Sequence, residues 1–301
     1  MEYILWMSLK GTKVSEQATV IYETDVTDEQ DDLIAPLIER RLKRGRPTSL
    51  CLRLVLNALF YLTRTGCQWR LLPKDFPAWP GVRYSFDKWT EAGTWLEINR
   101  RLVERRRLAV GRISTPSMGL IASQSVKTTE VGGIRGIDGN KQVKGRKRQL
   151  VTDTQGNLLG TLVHPANTHD TVGGEELLDL VLNEYSSIKK ILADQGYRSD
   201  LVVWLQQDFG VELEIVAKPA DQKGFVVQKY RWVIERTIAW LNRYRRLSKD
   251  YERHVWNSEA MIDIASIHLM LRQLHPNANI PILYKEKRSP ESMGLLLKQA
   301  A

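Results

Sequence analysis

Cysteine and long apolar runs are scarce in this sequence, and each scarcity excludes a class of protein. The 301 residues include two cysteines, Cys51 and Cys67, which are too few for a disulfide scaffold or a cysteine-rich zinc site. Both lie in apolar helical sequence, which predicts buried free thiols in a reducing compartment. No run of about 18 apolar residues occurs, so we expect no membrane-spanning segment. The first ten residues lack a small-residue cleavage site, which predicts no secretory signal.

Positive charge is in excess. The chain contains 44 Lys and Arg against 35 Asp and Glu, a net charge of +9 and an isoelectric point of about 9.5. A surplus of this sign is compatible with a polyanionic partner. A hydrophobic content of 43% excludes a disordered chain, and a length near 300 predicts about two domains. We therefore expect a soluble cytoplasmic protein.

The basic residues are gathered into three clusters, at 100–112, 127–148 and 229–246, whereas acids collect at 23–32 and 175–184. Such segregation predicts one cationic face, which would suit a nucleic-acid backbone. The alternative interpretation is that the clusters lie on ordinary solvated helices. Three separate clusters argue against this alternative more strongly than a single basic run would.

Residues 27–112 are predicted to form an all-helical domain that follows an irregular arm at 1–26. Thr27 and Gln30 have the spacing of a capping box, and apolar residues then recur at helical intervals through four helices. Thr94 repeats the capping spacing with the Glu three residues later. Helices rich in arginine with helix–turn–helix character favour a helix laid in a DNA groove. A domain of plain helical packing is the alternative.

From residue 113 to 275 the pattern changes to short strands alternating with helices, and an irregular tail follows at 276–301. Three strands come first, followed by helix, strand, helix, strand and two helices. This order predicts an α/β domain with a ribonuclease-H-like mixed sheet flanked by helices. The predicted strands are 118–126, 147–153, 157–163, 188–193 and 211–217, and the predicted helices are 175–185, 201–209, 230–247 and 258–274.

Asp194 closes the fourth predicted strand, and Gly196 lets the chain turn after it. Ligands of open α/β sheets gather at the carboxyl ends of strands, so an Asp at this point is well placed to hold a metal ion. Capping of the next helix is the alternative role.

Glu235 is the one acid in the cationic segment 229–246, with Arg231 one turn before it and Arg236 beside it. An ion pair with Arg231 is the plain interpretation. A lone carboxylate among cations is also what metal-dependent phosphoryl transfer requires, because Mg²⁺ takes carboxylate and phosphate oxygens. Two such ions about 3.5–4 Å apart activate the attacking oxygen and stabilise the leaving one.

Several stretches of the sequence carry a combination of motifs. They are SQSVKTTE at 123–130, VKGRKR at 143–148, ADQGYR at 193–198, RWVIER at 231–236, Trp240-Leu241, RYRRL at 243–247 and RTGCQWRLLP at 64–73. With these motifs the chain resembles the DDE transposases of bacterial insertion sequences, in the insertion sequence five group. The likeness runs from about residue 27 to residue 274.

The resemblance implies a ribonuclease-H-like core, two Mg²⁺ ions (with Mn²⁺ as a substitute) and cleavage and transfer of DNA strands. Asp194 and Glu235 fall on the family's second Asp and its Glu, and would be metal ligands. Arg231 matches the family's Arg in the same helix. The implied partners are double-stranded DNA, as element ends and target, and a homodimer or higher assembly on DNA. The implied location is the bacterial cytoplasm, in association with the nucleoid.

One position departs from the family. Its first Asp lies immediately before the SQSVK motif, and this chain has Ala122 there. An alanine cannot ligate a metal, so the carboxylate expected to bridge both ions is missing. Asp138 and Asp153 are nearby acids that we do not expect to substitute. The other motifs are intact. This favours a single change, introduced at residue 122 to inactivate the site, over the natural decay of an insertion sequence.

Two hypotheses remain open. The first is a transposase in a form unable to perform the chemistry, and the second is a non-enzymatic DNA-binding protein derived from a transposase. In both, cations surrounding the site would hold the DNA backbone rather than its bases. The cations that we expect to contact it are Lys127, Lys141, Lys144, Arg146, Lys147, Arg148, Arg105, Arg106, Arg107, Arg236 and Arg243.

Overall fold

The computed structural model describes residues 22–41, 50–197, 200–216 and 230–276. Most of the predicted N-terminal arm, nearly all of the tail, and Arg198 of the ADQGYR motif lie outside the described residues. The helices are α1 Asp28–Arg41, α2 Leu52–Thr65, α3 Trp79–Glu91, α4 Thr94–Ala109, α5 Asp170–Glu184, α6 Asp200–Trp204, α7 Arg231–Leu241 and α8 Val255–Leu274. The strands are β1 Met118–Lys127, β2 Gly136–Asp138, β3 Val143–Asp153, β4 Leu158–Pro165, β5 Lys190–Ala193 and β6 Glu212–Ile215.

The six strands form one mixed sheet. Strand β3 pairs antiparallel with β1 along one edge, and with β2 and then β4 along the other. Strands β1, β5 and β6 are parallel neighbours. Three long antiparallel strands followed by parallel strands reached through helices confirm the predicted ribonuclease-H-like fold. The short strand β2 was not predicted, because three residues carry too little alternation to be recognised.

Local chemistry explains where the first helices begin and end. The Thr27 N–H donates to Gln30 Oε1 at 3.2 Å, and the Gln30 N–H donates to Thr27 Oγ1 at 3.3 Å. This is the reciprocal capping box that the spacing predicts. Helix α2 ends at Gly66, whose φ of 72° is left-handed, a conformation that glycine adopts without a Cβ clash.

The second predicted capping box is wrong. Thr94 is already the first residue of α4 and its hydroxyl is buried without a hydrogen-bond partner among the described residues. Glu97 instead binds Arg100 and Arg101 on the same helix. The spacing is present, but the cap position falls on Gly93, so Thr94 and Glu97 each lie one residue too late for a capping box.

Helix α8 joins the helical segment to the sheet. Its residues 260–268 are buried, and it packs against α2, α4 and β4. A polar joint crosses the same contact, in which Ser266 Oγ donates to Asn99 Oδ1 at 3.0 Å and Asn99 Nδ2 donates to the Leu158 carbonyl at 2.7 Å. The buried apolar side chains of both segments form one continuous cluster. The segment boundary near residue 112 is therefore a change of secondary structure within one core.

Two further expectations are corrected. Cys51 is exposed and Cys67 is half-buried, because they flank α2 at its two ends instead of lying on its buried face. The helix predicted over 230–247 ends at Leu241, and a short 3₁₀ turn follows at Arg245–Leu247. Within the described ranges, none of the helices combines the length and the apolar character needed to cross a bilayer.

A buried ion pair ties α4 to the end of β3. Arg107 Nη1 lies 2.6 Å from Asp153 Oδ2, with side-chain exposures of 7% and 0%. The same guanidinium donates to the Ile113 and Thr115 carbonyls. Arg107 therefore belongs to the core and not to a DNA-facing surface.

We expect Arg107→Ala to lower the free energy of unfolding by about 3 kcal/mol or more, since removing one partner leaves the Asp153 charge buried. Arg105→Ala is the matched control, because Arg105 is exposed two residues earlier on α4, and it should change stability by less than about 0.5 kcal/mol. Urea unfolding of the two variants measures the difference. Equal small losses in both would contradict a stabilising role for the Arg107–Asp153 pair.

Candidate functional site

The parallel pairing of β1 with β5 brings Ala122 and Asp194 to one edge of the sheet. Leu120 of β1 lies opposite Leu192 of β5. Ala122 and Asp194 each come two residues further along their chains, at the carboxyl end of the paired region. Side chains on residues in register at this edge converge. The structure therefore places Ala122 and Asp194 side by side at this edge.

Asp194 is held by the tight turn that follows β5. Its Oδ1 accepts the Gly196 N–H at 2.8 Å, and its carbonyl accepts the Tyr197 N–H. A Cβ on Gly196 would stand 3.0 Å from Asp194 Oδ1 and 3.1 Å from Asp170 Oδ2. A glycine thus leaves room for both carboxylates around this turn.

Glu235 reaches the same edge from α7. The apolar face of α7 packs Val233 and Ile234 on Leu120 and Leu192 in a small separate cluster. The Glu235 side chain, next in sequence, is 61% exposed at the rim of that contact. The packing of α7 on β1 and β5 therefore decides where this carboxylate lies.

Arg231 lies between the two carboxylates. Its Nε donates to Glu235 Oε1 at 3.1 Å, and its Nη2 is 4.0 Å from Asp194 Oδ2. The ion pair with Glu235 that the spacing predicted is present. It is extended toward Asp194, so one guanidinium offsets the charge of both acids.

Ala122, Asp194, Arg231 and Glu235 line a single cavity of about 120 Å³. Two carboxylates there suit one hard divalent cation, which takes its remaining ligands from water or phosphate. Ala122 contributes only a methyl group to the cavity, and a methyl group cannot ligate a metal ion. Among the described residues, His, Cys, Asp and Glu form no group of three that could hold a metal ion. The residues present therefore do not fit a pair of metal ions.

Neighbouring acids are engaged elsewhere. Asp138 accepts hydrogen bonds from Ser125 Oγ and from the backbone of Asn140 and Lys141. Burial opposes ionisation, but the Ser125 hydroxyl and the Lys141 N–H hold the pKa of Asp138 below its usual value. Asp153 is paired with Arg107, as described above. Neither acid is among the residues that line the 120 Å³ cavity.

Asp170 was missed by the sequence analysis. Its Oδ1 lies 3.0 Å from Lys147 Nζ, and its other oxygen faces the Gly196 turn. It is the first residue of α5, a position typical of acids at helix N-termini, and that ordinary role concealed its proximity to Asp194. Of the two nearby histidines, His164 lies in β4 and His169 caps α5.

Four of the predicted DNA contacts are corrected, because their side chains are buried with internal partners. Arg107 is one, and the others are consecutive residues of β3. Arg146 donates to the Ile134, Glu252 and Arg253 carbonyls, and Arg148 donates to the Leu247 and Lys249 carbonyls. Lys147 donates to the Thr168 carbonyl and pairs with Asp170. Burial lowers the pKa of Arg148 to about 10.

The other predicted cations remain accessible in whole or in part. Lys127, Lys141, Lys144, Arg105 and Arg243 are exposed. Lys141 Nζ reaches Ser123, at 3.2 Å from Oγ and 3.3 Å from the carbonyl. Since Ser123 lines the 120 Å³ cavity, a cation stands at the rim of the candidate site.

Arg106 and Arg236 converge on the turn between β3 and β4. Arg106 Nη1 donates to Asn157 Oδ1 at 2.5 Å, and Arg236 Nη2 donates to the Gln155 carbonyl at 2.9 Å. The Arg236 guanidinium also lies 4.6 Å and 4.4 Å from the ring centroids of the tryptophans one turn to either side. Two basic clusters that are far apart in sequence therefore meet at one hairpin.

Comparison with known proteins finds two matching family models. One, described as "Transposase DDE domain", matches residues 114–270, and the other, described as "Putative transposase of IS4/5 family", matches residues 26–99. The "Putative transposase for insertion sequence element IS402" of Burkholderia cepacia is 34% identical over 116 residues, covering 36% of this chain and 54% of that protein. The match thus spans about half the length of that curated relative.

Among solved structures, the chain is similar to one titled "Crystal structure of the Mos1 Strand Transfer Complex". The similarity covers 76% of this chain and 78% of that chain, at 12% identity and a TM-score of 0.24.

We expect the chain to bind one Mn²⁺ weakly, and Asp194→Asn or Glu235→Gln to abolish that binding by removing a charged ligand. Asp138→Asn is the matched control and should leave the affinity unchanged, because Asp138 is committed to Ser125 and the β2–β3 turn. Electron paramagnetic resonance of free Mn²⁺ measures the binding. Loss of affinity in Asp138→Asn alone would place the ion elsewhere.

Proposed function

Since the chain belongs to the DDE transposase family, whose domain model covers more than half of it, we propose that it binds the ends of an insertion sequence. We further propose that the cleavage and transfer of strands, which the family's site performs with divalent cations, is disabled here by Ala122. The observation that carries the proposal is the shared cavity of Ala122, Asp194 and Glu235.

The physical argument is one of charge and ligand number. A pair of divalent ions activates the attacking oxygen and stabilises the leaving one, and a carboxylate between the ions lowers their mutual repulsion. A methyl group at residue 122 cannot ligate an ion and cannot lower the repulsion between two ions. Asp194 and Glu235 are left to hold one ion, and Mg²⁺ is the proposed one, with Mn²⁺ as a substitute. Arg231, between the two acids, is proposed to turn toward a DNA phosphate when a cation takes its place.

The proposed DNA contacts are the accessible cations of the predicted set: Lys127, Lys141, Lys144, Arg105, Arg106, Arg236 and Arg243. Lys141 supports the assignment best, because it lies beside Ser123 at the cavity rim. Backbone contacts of this kind position a duplex without reading its sequence. Transposition joins two element ends, so a homodimer or higher assembly on DNA is part of the proposal, as is association with the nucleoid.

A non-enzymatic DNA-binding protein derived from a transposase is the second candidate. Ala122 supports this candidate too, if alanine is the natural residue at this position and the protein is retained for recognising the element ends. Both candidates bind DNA. They differ in whether the rest of the site can still cleave DNA once a carboxylate is restored at residue 122.

Restoring the carboxylate separates the candidates. We expect Ala122→Asp to give Mg²⁺-dependent nicking of DNA that carries the element ends, because the third ligand returns to a site whose other parts are in place. Ala122→Asn is the size-matched control without charge and should stay inactive, as should Ala122→Asp combined with Glu235→Gln. Gel analysis of nicked product provides the measurement. If the Ala122→Asp protein binds the ends yet leaves them intact with Mg²⁺ and with Mn²⁺, the hypothesis that the rest of the site can still catalyse cleavage is refuted.

Neutralising two of the accessible cations tests the DNA surface. We expect Lys141→Gln with Lys144→Gln to weaken binding to every sequence and to reduce the slope of log K against log salt by about 2, since each lost phosphate contact removes about 0.9. Lys189→Gln is the control, because Lys189 is exposed just before β5, at the opposite end of that strand from Asp194. Fluorescence anisotropy over a salt series measures the slope. If Lys189→Gln had an equal effect, DNA binding would depend on the net charge of the chain and not on these two positions.

A further inference from the structure

A second cavity of about 430 Å³ opens between α4, α5, β4 and α8. It shares no lining residue with the cavity of the candidate site. Its volume lies in the range of pockets that hold small molecules. Nothing in the proposed transposase chemistry uses it.

The mouth of this cavity is apolar. Leu96 of α4, Leu180 of α5 and Trp256 of α8 all line it and are 59%, 58% and 54% exposed. Three large apolar side chains from three helices therefore surround one opening. Such a mouth favours an apolar or aromatic ligand body over a fully polar one.

The inner wall of the cavity carries acid. Asp263 lines it and is 3% exposed, and across the part of the chain that the structure describes its carboxyl has no hydrogen bond or ion pair. Burying a carboxyl without a partner is unfavourable. Burial, and then the charge of Glu259, raise the pKa of Asp263 well above its usual value.

Glu259 lies one turn away on α8 and is only partly satisfied. One of its carboxyl oxygens accepts the Val163 N–H at 2.8 Å, and burial raises its pKa to about 7. Among the described residues that line the cavity, the cation is Arg100, which is already committed to Glu97, Glu104 and Glu184. The titratable groups that line the cavity are Glu97 and Arg100 from α4, Glu184 from α5, Tyr185 after it, and Glu259 and Asp263 from α8.

We propose that this cavity binds a small organic cation, in which an ammonium, amidinium or guanidinium group on an apolar or aromatic stem pairs with Asp263. The cation supplies the partner that the carboxyl lacks, and the stem covers Leu96, Leu180 and Trp256. Anionic ligands are disfavoured by the two acids on α8.

The pairing has a defined proton balance. Burial raises the pKa of Asp263, which favours its protonated form, whereas the cation pairs with the carboxylate form. Binding therefore forms one ion pair, and any proton that the Asp263 carboxyl carries passes to the solvent, with no other bond made or broken.

Benzamidine, a planar amidinium on a phenyl ring, is the probe, and benzamide is its neutral counterpart of nearly equal shape. Isothermal titration of the full chain should show benzamidine binding, with Asp263→Asn weakening it by at least about tenfold because the buried charge pair is lost. Glu184→Gln, at the rim, is the control and should change the affinity by less than about twofold, as exposed pairs do. Thermal melts check that each variant is folded.

A second readout does not depend on a variant. Titration of the unmodified chain over a pH series should show that its affinity for benzamidine rises with pH, because the raised pKa of Asp263 favours the protonated carboxyl and the cation pairs with the carboxylate form. Equal affinity for benzamidine and benzamide, an affinity for benzamidine that does not rise with pH, or unchanged binding in Asp263→Asn would overturn the proposal. So would failure of the unmodified chain to bind benzamidine at millimolar concentration.

Discussion

The parallel pairing of β1 with β5, covered by the apolar face of α7, is the constraint on which the site depends. Leu120 and Leu192 lie in register, and Val233 and Ile234 pack on them. This one contact brings positions 122, 194 and 235 together from three separate segments of the chain. A charged site at the edge of a sheet thus depends on a small apolar cluster beneath it.

The cationic side chains of the protein have two different roles. Arg107, Arg146 and Arg148 are buried and donate to carbonyls or to a buried carboxylate, so they join distant segments of the fold. Lys141 and Lys144 are exposed, and Lys141 lies beside Ser123 at the rim of the candidate site. Net charge alone does not separate these roles, because a buried arginine with internal partners contributes to stability without presenting a surface to DNA.

Sequence reasoning succeeded where the signal is local or carried by a motif. The Thr27–Gln30 capping box, the order of strands and helices, and the placement of Asp194 after a strand and of Glu235 within a helix depend on neighbours a few residues away or on recognised patterns. It failed where the deciding partner is remote. Arg146 is buried because Glu252 and Arg253, more than 100 residues later, supply its acceptors.

The same limit applies around the two cavities. The proximity of Asp170 to Asp194 depends on the Gly196 turn, and the second cavity depends on how α4, α5 and α8 meet. Neither leaves a periodic or motif signal in the chain. Only tertiary packing brings these side chains together, so only a structure reveals them.

Residues 122, 194 and 235 are proposed to form one metal site in which the first ligand is missing. The most direct measurement is anomalous diffraction from crystals of the present chain and of Ala122→Asp, both soaked in Mn²⁺ with DNA bound. We predict one ion between Asp194 and Glu235 in the present chain, and two ions bridged by the introduced carboxylate in the variant. Ions bound away from Asp194 and Glu235, or an introduced carboxylate at position 122 that contacts no ion, would contradict this assignment.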